Sequence, residues 1–251
     1  MARSLYPVLM ATLFAMPTAQ AKSAEPLVLE PSSPWNLDYG ENMCSLRRAF
    51  GTGDQQVVLD ITKSMPGVVM GVKLAGAPLR SAMRARTVGI GFGPKVLGLR
   101  TSDVYTGETS DGSPAIGIQN VGLSSRWIPP FPSPNDRSAT KAETWQYPTS
   151  DEVEQVSGSA NGLYVQLADR TIDLRTGPLR AGIAALDKCV TEQLQSWGID
   201  PEALRNQLLP PMPSNNPSFW ATNLDWRANL MPAGKHVVVG FRLEIGTEGQ
   251  V

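Results

Sequence analysis

The sequence predicts a mainly β fold: a β-sandwich or barrel-like domain closed by one helix at its C-terminal end. Three observations carry that expectation. Short runs in which apolar and polar residues alternate recur along the chain, each bounded by Gly, Pro, Asn or Asp. The 251 residues include 23 Gly and 21 Pro, a supply of turn-formers suited to short, tightly joined strands. One segment, from Leu179 to Trp197, carries its apolar residues at intervals of three and four instead of two.

Residues 1–21 read as a cleavable export signal. Arg3 supplies the positive start, Leu5 to Met16 the apolar run, and Ala19-Gln20-Ala21 the small-x-small cleavage site. As a helix the apolar run would span about 18 Å, against about 30 Å of bilayer hydrocarbon, and it contains Pro7. A signal peptide is therefore expected, with no stable membrane anchor left after cleavage; a short amphipathic core helix is the alternative. Residues 22–34, rich in Pro and Ser, read as an extended leader, and the β-rich domain is expected from 35 to 200.

Within that domain Val57, Leu59 and Ile61 alternate with Val58, Asp60 and Thr62. After a Pro66-Gly67 turn, Val68, Met70, Val72 and Leu74 keep the same period, so the two runs predict a β-hairpin. Val88, Ile90 and Phe92 alternate with Gly89, Gly91 and Gly93, predicting a strand with one bare face onto which something packs closely. The glycine spacing does not fit a dinucleotide fingerprint, and Pro94 stands where a helix would have to start. Further strands are expected at Leu97 to Arg100, Ala115 to Gln119, Gly162 to Leu167 and Thr171 to Leu174. Turns at Asp111-Gly112 and Asn161-Gly162 and the cluster from Pro129 to Pro134 separate them.

The closing helix follows from one stripe of Leu179, Ile183, Leu186, Val190, Leu194 and Trp197, with Pro178 at its first turn and Gly198 at its C-terminal cap. Residues 201–218, with prolines at 210, 211, 213 and 217, read as an interdomain linker. Residues 219–251 then form a second, shorter unit. Val237, Val239, Phe241, Leu243 and Ile245 alternate in it before a Gly246 to Gly249 turn, and Val251 ends the sequence where the partner strand is expected to begin.

Charge and rare residues narrow the chemistry. Lys and Arg number 22 against 23 Asp and Glu, without a basic run, which argues against nucleic acid as a partner. The two cysteines, Cys44 and Cys189, predict one disulfide in an exported chain, two buried free thiols being the alternative. Cys189 lies three residues after Leu186, so its sulfur falls at the edge of the helix stripe, within reach of a strand starting near Cys44. His236, the single histidine, stands at the start of a strand with no nucleophile nearby, and one imidazole rules out zinc sites built on several. No cofactor or metal is expected.

Ser138-Ala-Thr-Lys141 fits the S-x-x-K pattern of penicillin-recognising enzymes, in which the Lys helps to deprotonate the Ser. That chemistry also needs a Lys-Thr-Gly strand, and Arg175-Thr176-Gly177 is the nearest approach. Gly158 to Gly162 and Asp111-Gly112 read as turns. Asp151, Glu152 and Glu154 read as a solvated loop, and Trp127 as either part of a binding loop or core.

The segment Asn223-Leu-Asp-Trp-Arg-Ala-Asn-Leu-Met-Pro-Ala-Gly234, followed by the strand from Val237 and the Glu248-Gly249 turn, resembles the opening of a TonB C-terminal domain. Asp225, Ala228, Gly234 and Glu248-Gly249 match, while Trp226-Arg227 stands where that family has Tyr-Pro. The resemblance covers about 30 residues, roughly a third of such a domain, and implies a periplasmic α+β module that touches envelope receptors or cell-wall material. The preceding domain resembles a secreted domain of unknown function found beside such modules in some alphaproteobacteria. An early segment (Trp35, Asp38, Tyr39, Cys44, Arg48, Phe50, Gly51) and a late one (Cys189, Leu194, Trp197, Gly198) carry that likeness.

The expected protein is periplasmic or secreted and non-catalytic, TonB-like, and engaged in protein interaction or transport support. Its expected partner is an envelope protein or a cell-wall component. A secreted serine hydrolase using Ser138 and Lys141, or a purely structural periplasmic protein, are the alternatives.

Overall fold

The hairpin expected over residues 57–74 lies in the middle of a six-stranded sheet in the computed structural model, which describes residues 25–93, 99–124, 127 and 148–202. In chain order the strands are β1 (Leu27–Leu29), β2 (Asn36–Tyr39), β3 (Cys44–Phe50), β4 (Val57–Lys63), β5 (Val69–Ala75) and β6 (Thr87–Phe92). Then come β7 (Arg100–Asp103), β8 (Tyr105–Glu108), β9 (Pro114–Gly122), β10 (Leu163–Gln166) and β11 (Thr171–Leu174). The larger sheet runs β2-β3-β4-β5-β9-β8, antiparallel throughout. The smaller runs β1-β11-β10-β6-β7 and is antiparallel except where β1 lies parallel to β11. Among the described residues neither sheet closes into a barrel, and the two share one apolar core. The fold is mainly β, closed by a C-terminal helix.

Alternation decides which face is buried. Val57, Leu59 and Ile61 are fully buried while Val58 between them is 38% exposed. Val88, Ile90 and Phe92 of β6 likewise face the core. The bare face of β6 is filled by its neighbour: a Cβ on Gly89 would stand 3.0 Å from Cβ of Gln166 in β10. β9 carries one extra residue opposite β5, since Val72 pairs with Ile118 but Met70 with Val121. Asn120 absorbs this bulge at φ 57°, a left-handed conformation that Asn tolerates better than most side chains.

The closing helix, α2 (Arg180–Ser196), buries Ile183, Leu186, Cys189, Val190 and Leu194. Pro178 precedes the N-cap, Leu179, rather than standing in the first turn. Gly198 ends the helix at φ 74°, which lets Ile199 N–H reach the Leu194 carbonyl at 2.9 Å. Three cross-links seat α2 on the larger sheet. Cys189 is bonded to Cys44 at the start of β3, across a separation of 145 residues. Asp187 pairs with Lys63 of β4. Gln193 Nε2 donates to the carbonyls of Gly40 and Glu41 in the β2–β3 turn, at 2.8 and 3.0 Å.

The fold departs from expectation elsewhere as well. Leu27–Leu29, within the expected leader, is strand β1, and Leu29 is part of the core. The strand expected at Leu97 to Arg100 instead begins at Arg100; residues 94–98 lie outside those described. Residues 77–84 form a 3-10 helix that no periodicity announced. The acidic run Asp151 to Glu154 is not a loop but the start of α1 (Ser150–Ser159). There the Thr149 hydroxyl accepts from Glu152 N–H at 3.3 Å and the Glu152 carboxylate accepts from Thr149 N–H at 2.8 Å, a reciprocal capping box.

Candidate functional site

Three of the residues that carried the secreted-domain resemblance, Trp35, Arg48 and Phe50, come together. The Trp35 and Phe50 rings meet edge-on with centroids 6.3 Å apart. The Arg48 guanidinium lies 5.3 Å from the Trp35 centroid and 5.9 Å from that of Phe50. Its Nε donates to the Ser33 carbonyl at 2.8 Å and its Nη1 to the Thr176 carbonyl at 3.0 Å. One side chain thereby joins β3, the segment between β1 and β2 and the loop after β11. Asp38 pairs with Arg47 at 3.1 Å, and Arg47 also reaches Asp60 at 3.2 Å, so a charge ladder crosses β2, β3 and β4.

Of the chemical candidates, Trp127 is buried in the core and does not form an exposed binding loop. Glu154 pairs with Arg180 at 3.2 Å, and Glu152 caps its own helix. Ser138, Lys141, His236, the cleavage residues Ala19 and Ala21, most of the 201–218 linker and all of 219–251 lie outside the described residues. Among the described residues no group of three or more His, Cys, Asp or Glu is placed to hold a metal ion.

A surface groove that sequence reasoning missed gathers the most chemistry. The 3-10 helix Ala77–Arg84 anchors itself through buried Leu79 and Ala82, which turns Arg80 and Arg84 to solvent and Ser81 to the groove. The β10–β11 turn, closed by Leu167 N–H donating to the Arg170 carbonyl at 2.8 Å, brings Asp169 and Arg170 to the opposite wall. The walls are latched together. Ser81 Oγ donates to Asp169 Oδ1 at 2.5 Å, and Arg170 Nε donates to Asp169 Oδ2 at 3.0 Å. The Ser81 hydroxyl, opposed by partial desolvation and helped by Arg170, holds the Asp169 carboxyl below the ordinary carboxylate value, so it stays ionised. Arg80, Ser81, Arg84, Asp169 and Arg170 bound, with Ala77 and Pro78, a cavity of about 590 Å³. No sequence signal links its halves, because Ser81 and Asp169 are 88 residues apart.

A second polar feature is buried rather than open. Asp173 of β11 is 4% exposed, stands opposite Tyr164 of β10, and pairs with Arg175 at 2.9 Å through Oδ2. Its Oδ1 has no hydrogen-bond partner. Burial raises its carboxyl above the ordinary 3.8, with Arg175 opposing and Glu30 adding to the rise. The folded chain therefore holds this proton more tightly than the unfolded chain. The group favours folding below 3.8, and that contribution is lost as pH rises through the folded value. Urea midpoints taken at increasing pH from below about 4 are expected to fall for the wild type relative to Asp173→Asn. Parallel pH profiles would refute the assignment.

The described part of the chain is thus a disulfide-closed, mainly β domain bearing an arginine-lined groove. No family model matches the chain, and no curated protein or solved structure shows significant similarity to it.

Proposed function

We propose that this is an exported, non-catalytic envelope protein that works in protein interaction or transport support in the manner of TonB-like proteins. The observation that carries the reading is the Cys44–Cys189 bond, which ties the first long strand of the domain to its closing helix. Structural disulfides of this kind persist in oxidising compartments and are rare in the cytosol of mesophiles. The apolar leader ending at Ala21 and the TonB-like segment from Asn223 support the same location and suggest an envelope protein or cell-wall component as partner.

Fractionation of cells expressing the full chain tests the proposal. Material beyond the inner membrane, beginning at Lys22 and with no titratable thiol, is the expected result. Cytosolic protein that retains its leader and shows two free thiols would sink it. Ester or β-lactam turnover that disappears in Ser138→Ala would replace it with the hydrolase reading.

A further inference from the structure

We propose that the groove between the 3-10 helix Ala77–Arg84 and the β10–β11 turn is a binding site for a phosphate monoester group. The inference rests on the groove alone and does not depend on where the protein works.

The charges in the groove are unbalanced. Three guanidinium groups face one carboxylate, an excess of two positive charges in a chain whose formal net charge is −1. Three other arginines of the domain are matched by carboxylates: Arg47 lies between Asp38 and Asp60, Arg175 against Asp173, and Arg180 against Glu154. Arg80 and Arg84 are exposed, and neither takes part in an ion pair or side-chain hydrogen bond among the described residues. Arg170 is different, because Asp169 engages its Nε and leaves the outer Nη pair to face a ligand.

The site is also organised before any ligand arrives. Leu79 and Ala82 fix the helix that carries Arg80 and Arg84, while the Ser81–Asp169–Arg170 chain fixes the opposite arginine. Asp169 thus acts as a positioning residue, spending its charge on orienting Arg170. Little side-chain freedom remains to be lost at that wall on binding. The volume, about 590 Å³, falls within the range of small-molecule sites.

Ligand charge and oxygen count select phosphate over carboxylate. A carboxylate brings one negative charge and two oxygens, whereas a phosphate monoester brings nearly two charges and three terminal oxygens. Guanidinium forks bind such oxygens in pairs, so three arginines around one cavity match a dianion with three acceptors. The phosphate could belong to a soluble ester or to a lipid headgroup. Both present the same group to the groove.

Calorimetry on the full chain at low salt would use glycerol 3-phosphate as the soluble probe, succinate as the carboxylate comparator, and phosphatidylcholine vesicles with and without phosphatidic acid. Saturable binding is expected, weakened at least tenfold in Arg84→Gln and in Arg170→Gln and by added salt. Lys188→Gln, which removes a charge from the exposed side of α2, should leave it unchanged. Arg84 is exposed and has no ion-pair partner among the described residues, so its variant should keep the wild-type urea midpoint and report on binding alone. Binding of the free ester identifies a soluble source; binding only to vesicles containing phosphatidic acid identifies a headgroup. Absence of binding to both probes, indifference to both arginine substitutions, or equal affinity for succinate would overturn the proposal.

Discussion

Removing the Cys44–Cys189 bond, in Cys44→Ala/Cys189→Ala, is expected to lower the free energy of unfolding by about 5 kcal/mol. The bond closes a loop of 145 residues, and on chain entropy alone a loop of that length restricts the unfolded ensemble by this amount. Domains of this size are typically stable by only about 5–15 kcal/mol, so the loss is a large share of the whole. Both cysteines are fully buried where α2 meets the start of β3, and the substitution also removes packing at the seam between helix and sheet. Urea unfolding of the variant and of reduced wild type should give matching midpoints well below that of the oxidised protein. A difference under about 1 kcal/mol would mean that the apolar stripe and Gln193 hold α2 without covalent help.

Asp187→Ala is expected to cost about 3 kcal/mol, the next largest effect. Lys63 continues the inward alternation of β4 after Ile61 and stands directly opposite Cys44. Its side chain is 2% exposed, so the ammonium has been taken out of water, and Asp187 on α2 is the carboxylate that receives it. Deleting that carboxylate leaves a buried charge without a counter-ion, which is far more costly than replacing the whole pair with apolar groups. The diagnostic is the second substitution. Lys63→Met added to Asp187→Ala should recover most of the loss, because no buried ammonium remains. Equal stability of the single and double variants would show that Lys63 finds water once its partner is gone. The pair lies close to the disulfide, so the series belongs in oxidised protein, where the two effects are not mixed.

Residue patterning made several elements readable in advance. The β4–β5 hairpin, β6, β9 and α2 each carry a clear period of two or of three and four, because one face of each is more buried than the other, whereas β10 and β11, buried on both faces, are marked by the turns that bound them. β1 escaped notice because its three residues are too few to show a period. The first turn of α1 is hidden for another reason: its acidic residues are largely solvated and show no apolar period, and only the capping exchange between Thr149 and Glu152 marks the helix start. Lys63 could not be foreseen as buried, since its partner lies 124 residues away.

What the residues determined by themselves was local: which stretches alternate, which stripe forms a helix, and which two thiols are the pair for a disulfide. The tertiary structure alone decided which distant groups meet. Strand order places the β10–β11 turn beside the helix that follows β5, so Ser81, Asp169 and three arginines come to share one groove. Periodicity reports whether a side chain faces inward or outward. It carries no information about what stands across from that side chain, because that is settled by the pairing of strands far apart in the chain.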